Sequence, residues 1–168
     1  MNRLKTLLLS LLAIFSFALV SCGGGSGGGD DTPEPTAEEQ RILDLAGSSG
    51  STWTATSITF EGSPAQGFDD FSLTLRGTLA GSKSYTTLDG DPVFNASGTW
   101  ALSSTNINQI TIDGNSDNVF TISNFNADAS PATLTLTVDF TAQGGGSANG
   151  VDGIEGTDGT YVFNLQAQ

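Results

Sequence analysis

The side chains available for chemistry in this sequence are mainly carboxylates and hydroxyls. The 168 residues include 18 aspartates and glutamates, no histidine, and one cysteine, Cys22. The lack of histidine removes the usual general base near neutral pH and the commonest transition-metal ligand. Asp69 with Asp70, and Asp89 with Asp91, are carboxylate pairs of the kind that divide acid and base roles in glycoside hydrolysis. The turn preference of aspartate explains both pairs without chemistry, so we expect a protein that is not an enzyme.

Oxygen ligands at every second position raise the question of a calcium site. Asp113, Asn115 and Asp117 have the spacing that opens a calcium-binding loop. Such a loop ends in a bidentate glutamate at its twelfth position, where this sequence has Asn124. The segment also lies between two predicted strands, so a hairpin turn is the alternative, and we expect no metal and no cofactor.

The distribution of charge excludes one class of partner. All 18 acidic residues follow the first 21 residues, and that remainder has three basic side chains, Arg41, Arg76 and Lys83, which gives it a net charge of −15. Binding to nucleic acid requires a lysine or arginine for each phosphate that is neutralised. Nucleic acid is therefore not an expected partner, and attachment to a membrane requires an anchor rather than a basic patch.

The first residues have the order of a secretory signal. Two cations precede Thr6–Val20, an apolar run that is short for a spanning helix. The run ends in Leu19, Val20, Ser21 and Cys22, which resembles the lipobox of bacterial lipoproteins. The alternative is an ordinary signal peptide that ends near a cysteine by chance. The resemblance implies removal of residues 1–21 and lipidation of Cys22, so that several acyl chains such as palmitate hold the protein in a membrane.

The residues after the cysteine imply a destination membrane and a flexible tether. Gly23 stands where an aspartate retains lipoproteins in an inner membrane, so the resemblance points to the outer membrane. Asp30 and Asp31 resemble signals for display at the cell surface, and the periplasmic and cell-surface faces both stay open. Residues 22–35, rich in Gly, Ser, Asp and Pro, predict a flexible tether of roughly 20 Å root-mean-square length.

Residues 36–168 are predicted to form one domain that begins with a short helix. Thr36 and Glu39 have the spacing of a capping box. Ile42, Leu43 and Ala46 are expected to form the buried stripe of that helix, which should end at Gly47.

From Ser51 onward the hydrophobic period changes to two, which is typical of strands that are buried on one face. Leu134, Leu136, Val138 and Phe140 alternate with polar residues most regularly. Eight such runs predict an all-β fold, an eight-stranded antiparallel up-and-down barrel in which closure removes the exposed edges. The predicted strands are 52–60, 70–76, 83–88, 97–103, 106–113, 118–124, 132–141 and 159–166.

The domain also resembles the lipocalin-like domains of small bacterial lipoproteins over roughly residues 47–165. The residues that carry the resemblance open or close predicted strands. They are Gly50, Ser51, Thr52, Trp53; Phe71, Ser72, Leu73; Tyr85, Thr86, Thr87; Ser97, Gly98, Thr99, Trp100; and Gly159, Thr160, Tyr161, Val162, Phe163, Asn164, Leu165. The resemblance implies a lipocalin-like barrel and no catalytic residues.

A barrel of eight strands is wide enough either to be filled by side chains or to hold one small ligand. The candidate lining of a ligand cup is aromatic, and a packed core is the alternative for the same residues: Trp53, Phe71, Trp100, Phe120, Phe140 and Phe163. We therefore expect an outer-membrane lipoprotein whose barrel binds a small apolar ligand or a glycan. The alternative is a structural or protein-interaction lipoprotein with a filled core and an unidentified protein partner.

One connection is longer than a compact barrel needs. Residues 143–158 contain six glycines and no strand pattern, with Asp152, Glu155 and Asp158 among them. A connection of this length is either a functional lid or a disordered loop. A solvated acidic loop is the simplest interpretation of its carboxylates, with cation binding as the alternative.

Overall fold

The computed structural model describes residues 34–141 and 158–168, which are mostly sheet with one short helix. The predicted leader 1–21, Cys22, residues 23–33 of the tether, and residues 142–157 lie outside the described residues. No helix in the described ranges is long and apolar enough to span a lipid bilayer.

Helix α1 covers Ala37–Ala46 and begins as the sequence predicts. The hydroxyl of Thr36 accepts a hydrogen bond from the backbone N–H of Glu39 at 3.2 Å. The Glu39 carboxylate accepts one from the backbone N–H of Thr36 at 2.7 Å. These reciprocal bonds confirm the capping box and satisfy two donors that a helix N-terminus otherwise leaves free.

The buried face of α1 differs from the prediction at one position. Ile42, Leu45 and Ala46 are buried, whereas Leu43 is 45 % exposed. Residues three and four apart share a face of a helix, so Ile42 aligns with Leu45 and Ala46, while Leu43 points away from them. The placement of Leu43 in the inner stripe was therefore wrong.

Nine strands follow the helix in the described residues, and they include all eight that the sequence predicts. In chain order they are β1 Ser51–Phe60, β2 Ser63–Pro64, β3 Ser72–Arg76, β4 Ser84–Leu88, β5 Ser97–Leu102, β6 Gln109–Ile112, β7 Val119–Asn126, β8 Thr133–Phe140 and β9 Gly159–Ala167. The additional strand, β2, is two residues long and pairs with the end of β1.

The largest differences in strand bounds have local causes. β6 begins later than predicted because the Asn106 side chain accepts a hydrogen bond from the Asn108 N–H and forms a turn. β7 ends later than predicted because the chain passes through an irregularity between Ser123 and Asn126, where Asn124 has a φ of 49°. Asparagine tolerates this left-handed conformation better than most residues do, so the strand continues beyond it.

The strands close into an eight-stranded antiparallel up-and-down barrel, with β2 as an extra strand beside it. From β3 to β9 each strand pairs with the next, and β1 pairs with β3 on one side and β9 on the other. The register between β1 and β9 runs from Trp53 opposite Ala167 to Phe60 opposite Tyr161. The predicted fold class is therefore confirmed.

The up-and-down order divides the connections between two ends of the barrel. The helix end has α1 and the connections β3–β4, β5–β6 and β7–β8. The loop end has the connection from β1 through β2 to β3, and the connections β4–β5, β6–β7 and β8–β9.

The wall of the barrel is apolar inside and hydroxylic outside. Leu134, Leu136, Val138 and Phe140 of β8 are buried, as their alternation predicts. On the outer face, the Thr135 hydroxyl donates to the Asn164 side-chain oxygen at 2.9 Å. The amide of Asn164 in turn donates to the Ser57 hydroxyl at 2.9 Å. Polar side chains on β1, β9 and β8 thus satisfy one another across the strands.

Candidate functional site

The barrel interior contains all six aromatic residues that the sequence predicts as its lining. Each is at most 8 % exposed: Trp53, Phe71, Trp100, Phe120, Phe140 and Phe163. All except Phe71 lie on strands, and Phe71 immediately precedes β3. The structure therefore places the candidate residues in one core and leaves open only what occupies the space among them.

Two further phenylalanines enter this core from loops, and the sequence pattern predicts neither. Phe68 precedes β3 and Phe94 lies in the β4–β5 connection, and both are buried. The Phe94 ring stacks on Phe120 with centroids 4.9 Å apart and contacts Phe163 at 5.4 Å. Because neither residue belongs to an alternating strand pattern, no periodicity in the sequence marks it as buried.

Aromatic rings contact one another in the interior at the loop end. Phe71 lies 5.1 Å from Phe163 and 5.7 Å from Phe94, measured between ring centroids. Phe68 lies 5.7 Å from Phe163 and 6.0 Å from Tyr161. Centroid distances of about 4.5–7 Å are those of aromatic rings in contact. These four pairs of rings are thus in direct contact.

The β4–β5 connection that carries Phe94 is fixed to the ends of its two strands. The Thr87 hydroxyl donates to the Asn95 carbonyl at 2.8 Å, and the Thr87 N–H donates to the Ala96 carbonyl at 2.9 Å. The Phe94 N–H donates to the Gly90 carbonyl at 2.8 Å. These bonds hold the backbone of the loop against the barrel, so the position of the Phe94 ring is determined by more than its own packing.

At the helix end, α1 covers the interior and contacts the barrel through polar groups. The Trp53 indole N–H donates to the Leu45 carbonyl at 2.9 Å, which satisfies one of the last carbonyls of the helix. The Arg41 guanidinium donates to the Asn108 side-chain oxygen at 2.8 Å and lies 4.9 Å from the centroid of the Phe125 ring. Helix and barrel are thus joined by a buried indole and by a cation–π contact.

The indole of Trp100 also has a structural partner. Its N–H donates to the Arg76 carbonyl at 3.0 Å, which fixes the end of β3. Both tryptophans predicted as ligand-lining residues thus use their only side-chain donor within the protein.

Asp113, the first residue of the candidate calcium loop, binds protein groups from two neighbouring strands and the loop that joins them. One carboxylate oxygen accepts from the Tyr85 hydroxyl at 2.8 Å and the Asn95 amide at 2.9 Å. The other accepts from the Thr99 N–H at 2.8 Å. The side chain lies directly over Gly98, where a Cβ would overlap the carboxylate. We refer to these five residues as the Asp113 cluster.

The other residues of that candidate loop shape a hairpin turn. The Asn115 side-chain oxygen accepts from the Asp117 N–H at 2.9 Å, as in an Asx turn. Asp113 and Gly114 have φ angles of 53° and 68°, as a tight hairpin turn requires. Among the described residues, no group of three or more carboxylate, histidine or cysteine side chains is arranged to hold a metal ion.

The carboxylate pairs lie in exposed connections at the loop end. The Asp89 carboxylate accepts from the Asp70 N–H at 3.2 Å, so it bridges the end of β4 and the start of β3. Asp69 and Asp91 are exposed. The contact that the structure gives Asp89 is thus one with backbone, of the kind that aspartate makes in turns.

The Asp113 cluster changes the acidity of its members. Burial raises the pKa of Tyr85, and the hydrogen bond and the charge of Asp113 raise it further. For Asp113 itself, burial favours the neutral form, but the bonds from Thr99, Asn95 and Tyr85 outweigh burial and lower its pKa. Outside the cluster, burial also raises the pKa of Tyr161. The cluster thus favours a protonated tyrosine beside an ionised aspartate.

Charged side chains of the described residues are divided unevenly between the two ends. The loop end has only carboxylates: Glu61, Asp69, Asp70, Asp89, Asp91, Asp113, Asp117, Asp139 and Asp158. The described cations, Arg41, Arg76 and Lys83, all lie at the helix end, together with a smaller number of carboxylates.

Comparison of the chain with protein-family models, with curated proteins and with solved structures finds no match.

Proposed function

We propose that the chain is a lipid-anchored lipoprotein of the outer membrane whose barrel is a non-enzymatic module with a filled core. In this proposal the barrel presents its loops to a protein partner, and the acyl chains on Cys22 keep it at the membrane. The observation that carries the proposal is the packing of Phe94 and Phe68 among the aromatic rings of the strands, with centroids 4.9–6.2 Å apart.

The packing supports a filled core because these rings stand where a ligand cup would open. Of the residues proposed as lining, Phe71 and Phe163 contact each other, and Phe163 also contacts Phe94 from the β4–β5 connection. The donors of Trp53 and Trp100 are bonded to backbone carbonyls, so they are not free to orient a ligand. A pocket for a small molecule normally combines an apolar cavity with a few unpaired polar groups.

The sequence before the domain supports the proposed lipid anchor on Cys22. The cationic start, the apolar run and the small residue before Cys22 occur together in the order of a lipoprotein signal. The described domain has a hydroxylic outer wall and few cations, so the anchor on Cys22 is the part of the proposal that accounts for attachment.

A second candidate function is a barrel that binds a small apolar ligand or a glycan. One observation favours it: part of the filling comes from connections rather than strands, and connections are more mobile than the strands they join. If the β4–β5 connection moves outward, the Phe94 ring leaves an apolar space beside Phe120 and Phe163.

Acylation is tested by expressing the full chain in a Gram-negative host that is fed an alkyne analogue of palmitate. The wild-type chain should incorporate the label and appear in outer-membrane fractions. Cys22→Ser should lose both, whereas Ser26→Ala, a change in the tether after the cysteine, should retain both. Equal labelling of Cys22→Ser and wild type contradicts the proposed anchor.

The state of the core is tested by native mass spectrometry of the full chain carrying Cys22→Ser after incubation with envelope extracts. A filled core predicts recovery of the empty protein mass. A reproducible additional mass, lost on denaturation, supports the ligand-binding candidate instead.

A further inference from the structure

The connection between β3 and β4 projects from the helix end and has an unusual composition for this protein. Residues 71–88 contain no carboxylate, although the chain has 18. The β3–β4 tip, which we define as residues 76–83, carries Arg76 and Lys83 on either side of Leu79, whose side chain is 39 % exposed. Cations beside an exposed apolar side chain are characteristic of surfaces that meet lipid headgroups.

The cations of the tip form no ion pair with a carboxylate of the described residues. Among the described residues, Arg41 and Asp44 form an ion pair at 3.9 Å, whereas neither Arg76 nor Lys83 takes part in one. The Lys83 ammonium donates to the Leu79 carbonyl at 3.3 Å, which leaves its other two N–H groups for external acceptors. Both side chains can therefore bind anions outside the protein.

The base of the tip is held firmly by β5. The Trp100 indole donates to the Arg76 carbonyl at 3.0 Å, and the Trp100 N–H donates to the Lys83 carbonyl at 3.2 Å. One buried residue thus fixes both ends of the tip.

The tip lies at the end of the barrel where the described chain enters. Helix α1, which begins three residues after the first described residue, contacts β1 and β3 and covers this end. Its Leu43 is exposed at the same end. The opposite end has nine described carboxylates and no described cation, so it is repelled by anionic lipid.

From these observations we propose that the β3–β4 tip rests on the phospholipid surface to which the chain is anchored. Leu79 reaches the boundary of the apolar region, Arg76 and Lys83 face lipid phosphates, and the loop end points away from the membrane. This inference rests on the proposed acylation of Cys22. The anchor makes contact with the bilayer intramolecular, so even a small surface of weak affinity suffices.

The test uses the acylated full chain in vesicles of phosphatidylethanolamine and phosphatidylglycerol with a nitroxide quencher on the lipid. A fluorophore is attached through Ala80→Cys at the tip or through Ser116→Cys at the loop end, since acylation leaves no other thiol. Both positions are exposed. Quenching should be several-fold stronger at residue 80 than at residue 116. It should fall to the level of residue 116 when Arg76→Gln, Leu79→Ser and Lys83→Gln are combined, but not with Leu88→Ser.

Each other outcome contradicts the inference. Equal quenching at both positions means that the barrel has no preferred orientation, and stronger quenching at residue 116 means the reverse orientation. Quenching that survives the triple substitution means that the tether alone orients the barrel. Mass spectrometry of the same sample separates the two proposals. If the acyl mass is present and quenching is equal, only the tip proposal fails. If the acyl mass is absent, the anchor fails and the tip proposal fails with it.

Discussion

Removal of the Phe94 ring is the sharpest test of a filled core. Phe94 is 2 % exposed and contacts Phe71, Tyr85, Phe120 and Phe163, so Phe94→Ala leaves a cavity that four other rings line. Replacement of a buried phenylalanine by alanine costs about 3–5 kcal/mol, which combines lost transfer energy with the cavity.

That cost is large relative to the whole stability of a domain. Domains of this size unfold with about 5–15 kcal/mol, and each kcal/mol corresponds to about 4 °C in Tm. Phe94→Ala should therefore lower the Tm by about 12–20 °C. The free energy of unfolding is measured by urea denaturation followed by circular dichroism, with calorimetry for the Tm.

Leu88→Ala is the matched control, because Leu88 ends β4 just before the same connection but is 57 % exposed. It should change stability by less than about 0.5 kcal/mol. If Phe94→Ala also changes stability by less than about 1 kcal/mol, the ring does not pack in the core in solution. That result refutes the filled core and favours the ligand-binding candidate.

The remaining predictions concern the Asp113 cluster and the helix contact. Gly98→Ala should displace the Asp113 carboxylate and cost about 1–2 kcal/mol in urea denaturation, a modest figure because Asp113 is exposed; an unchanged midpoint contradicts the geometry. Because the pKa of Asp113 is lowered in the folded state, its contribution is present above the ordinary aspartate pKa and is lost as the pH falls below it. The stability difference between wild type and Asp113→Asn should therefore shrink between pH 7 and roughly pH 3. Burial raises the pKa of both tyrosines, Tyr85 and Tyr161, so at pH 10 the folded protein should show less tyrosinate absorbance than the urea-unfolded chain, which should be about half ionised. For Tyr85 the stability contribution is present below pH 10 and is lost as the pH rises above it. Trp53→Phe should lower the free energy of unfolding by about 1–2 kcal/mol through loss of the bond to α1. If the helix signal of the variant has the same urea midpoint as that of wild type, the result counts against that contact.

The parts of the fold that could be predicted from sequence depend on local rules. The period of two along β8 reports which face is buried, because successive side chains of a strand alternate between faces. The capping box at Thr36 and Glu39 involves residues three apart, so its spacing is visible in the sequence. Eight one-sided strands in a row make closure the simplest arrangement, which the pairing of β1 with β9 fulfils.

The parts that escaped prediction depend on groups that are distant in sequence. The Asp113 cluster joins a turn after β6 to Tyr85 of β4, 28 residues away. Taken alone, Asp113 has the spacing of a calcium ligand, and only the fold shows that Gly98 leaves room for its carboxylate. Phe94 has no periodic neighbours, so its burial follows from the path of the loop rather than from a pattern.

Leu43 shows a third kind of limit. An apolar residue beside two others in a short helix fits more than one stripe, and only the position of the barrel decides between them. The side of α1 that contacts Trp53 faces the barrel, so Leu45 is buried in the core and Leu43 is exposed.

The pairing of β1 with β9 has a consequence for the way the chain is made. Trp53 lies opposite Ala167, so the first strand of the barrel and the last one meet across nearly the whole domain sequence. Synthesis delivers β1 first, and one edge of that strand stays unpaired until β9 emerges at the end. A nascent strand edge of this kind is prone to pair with other chains, and contacts of high sequence separation form slowly. A chain that stops before residue 159 therefore lacks the partner that protects β1, and aggregation should begin at that edge.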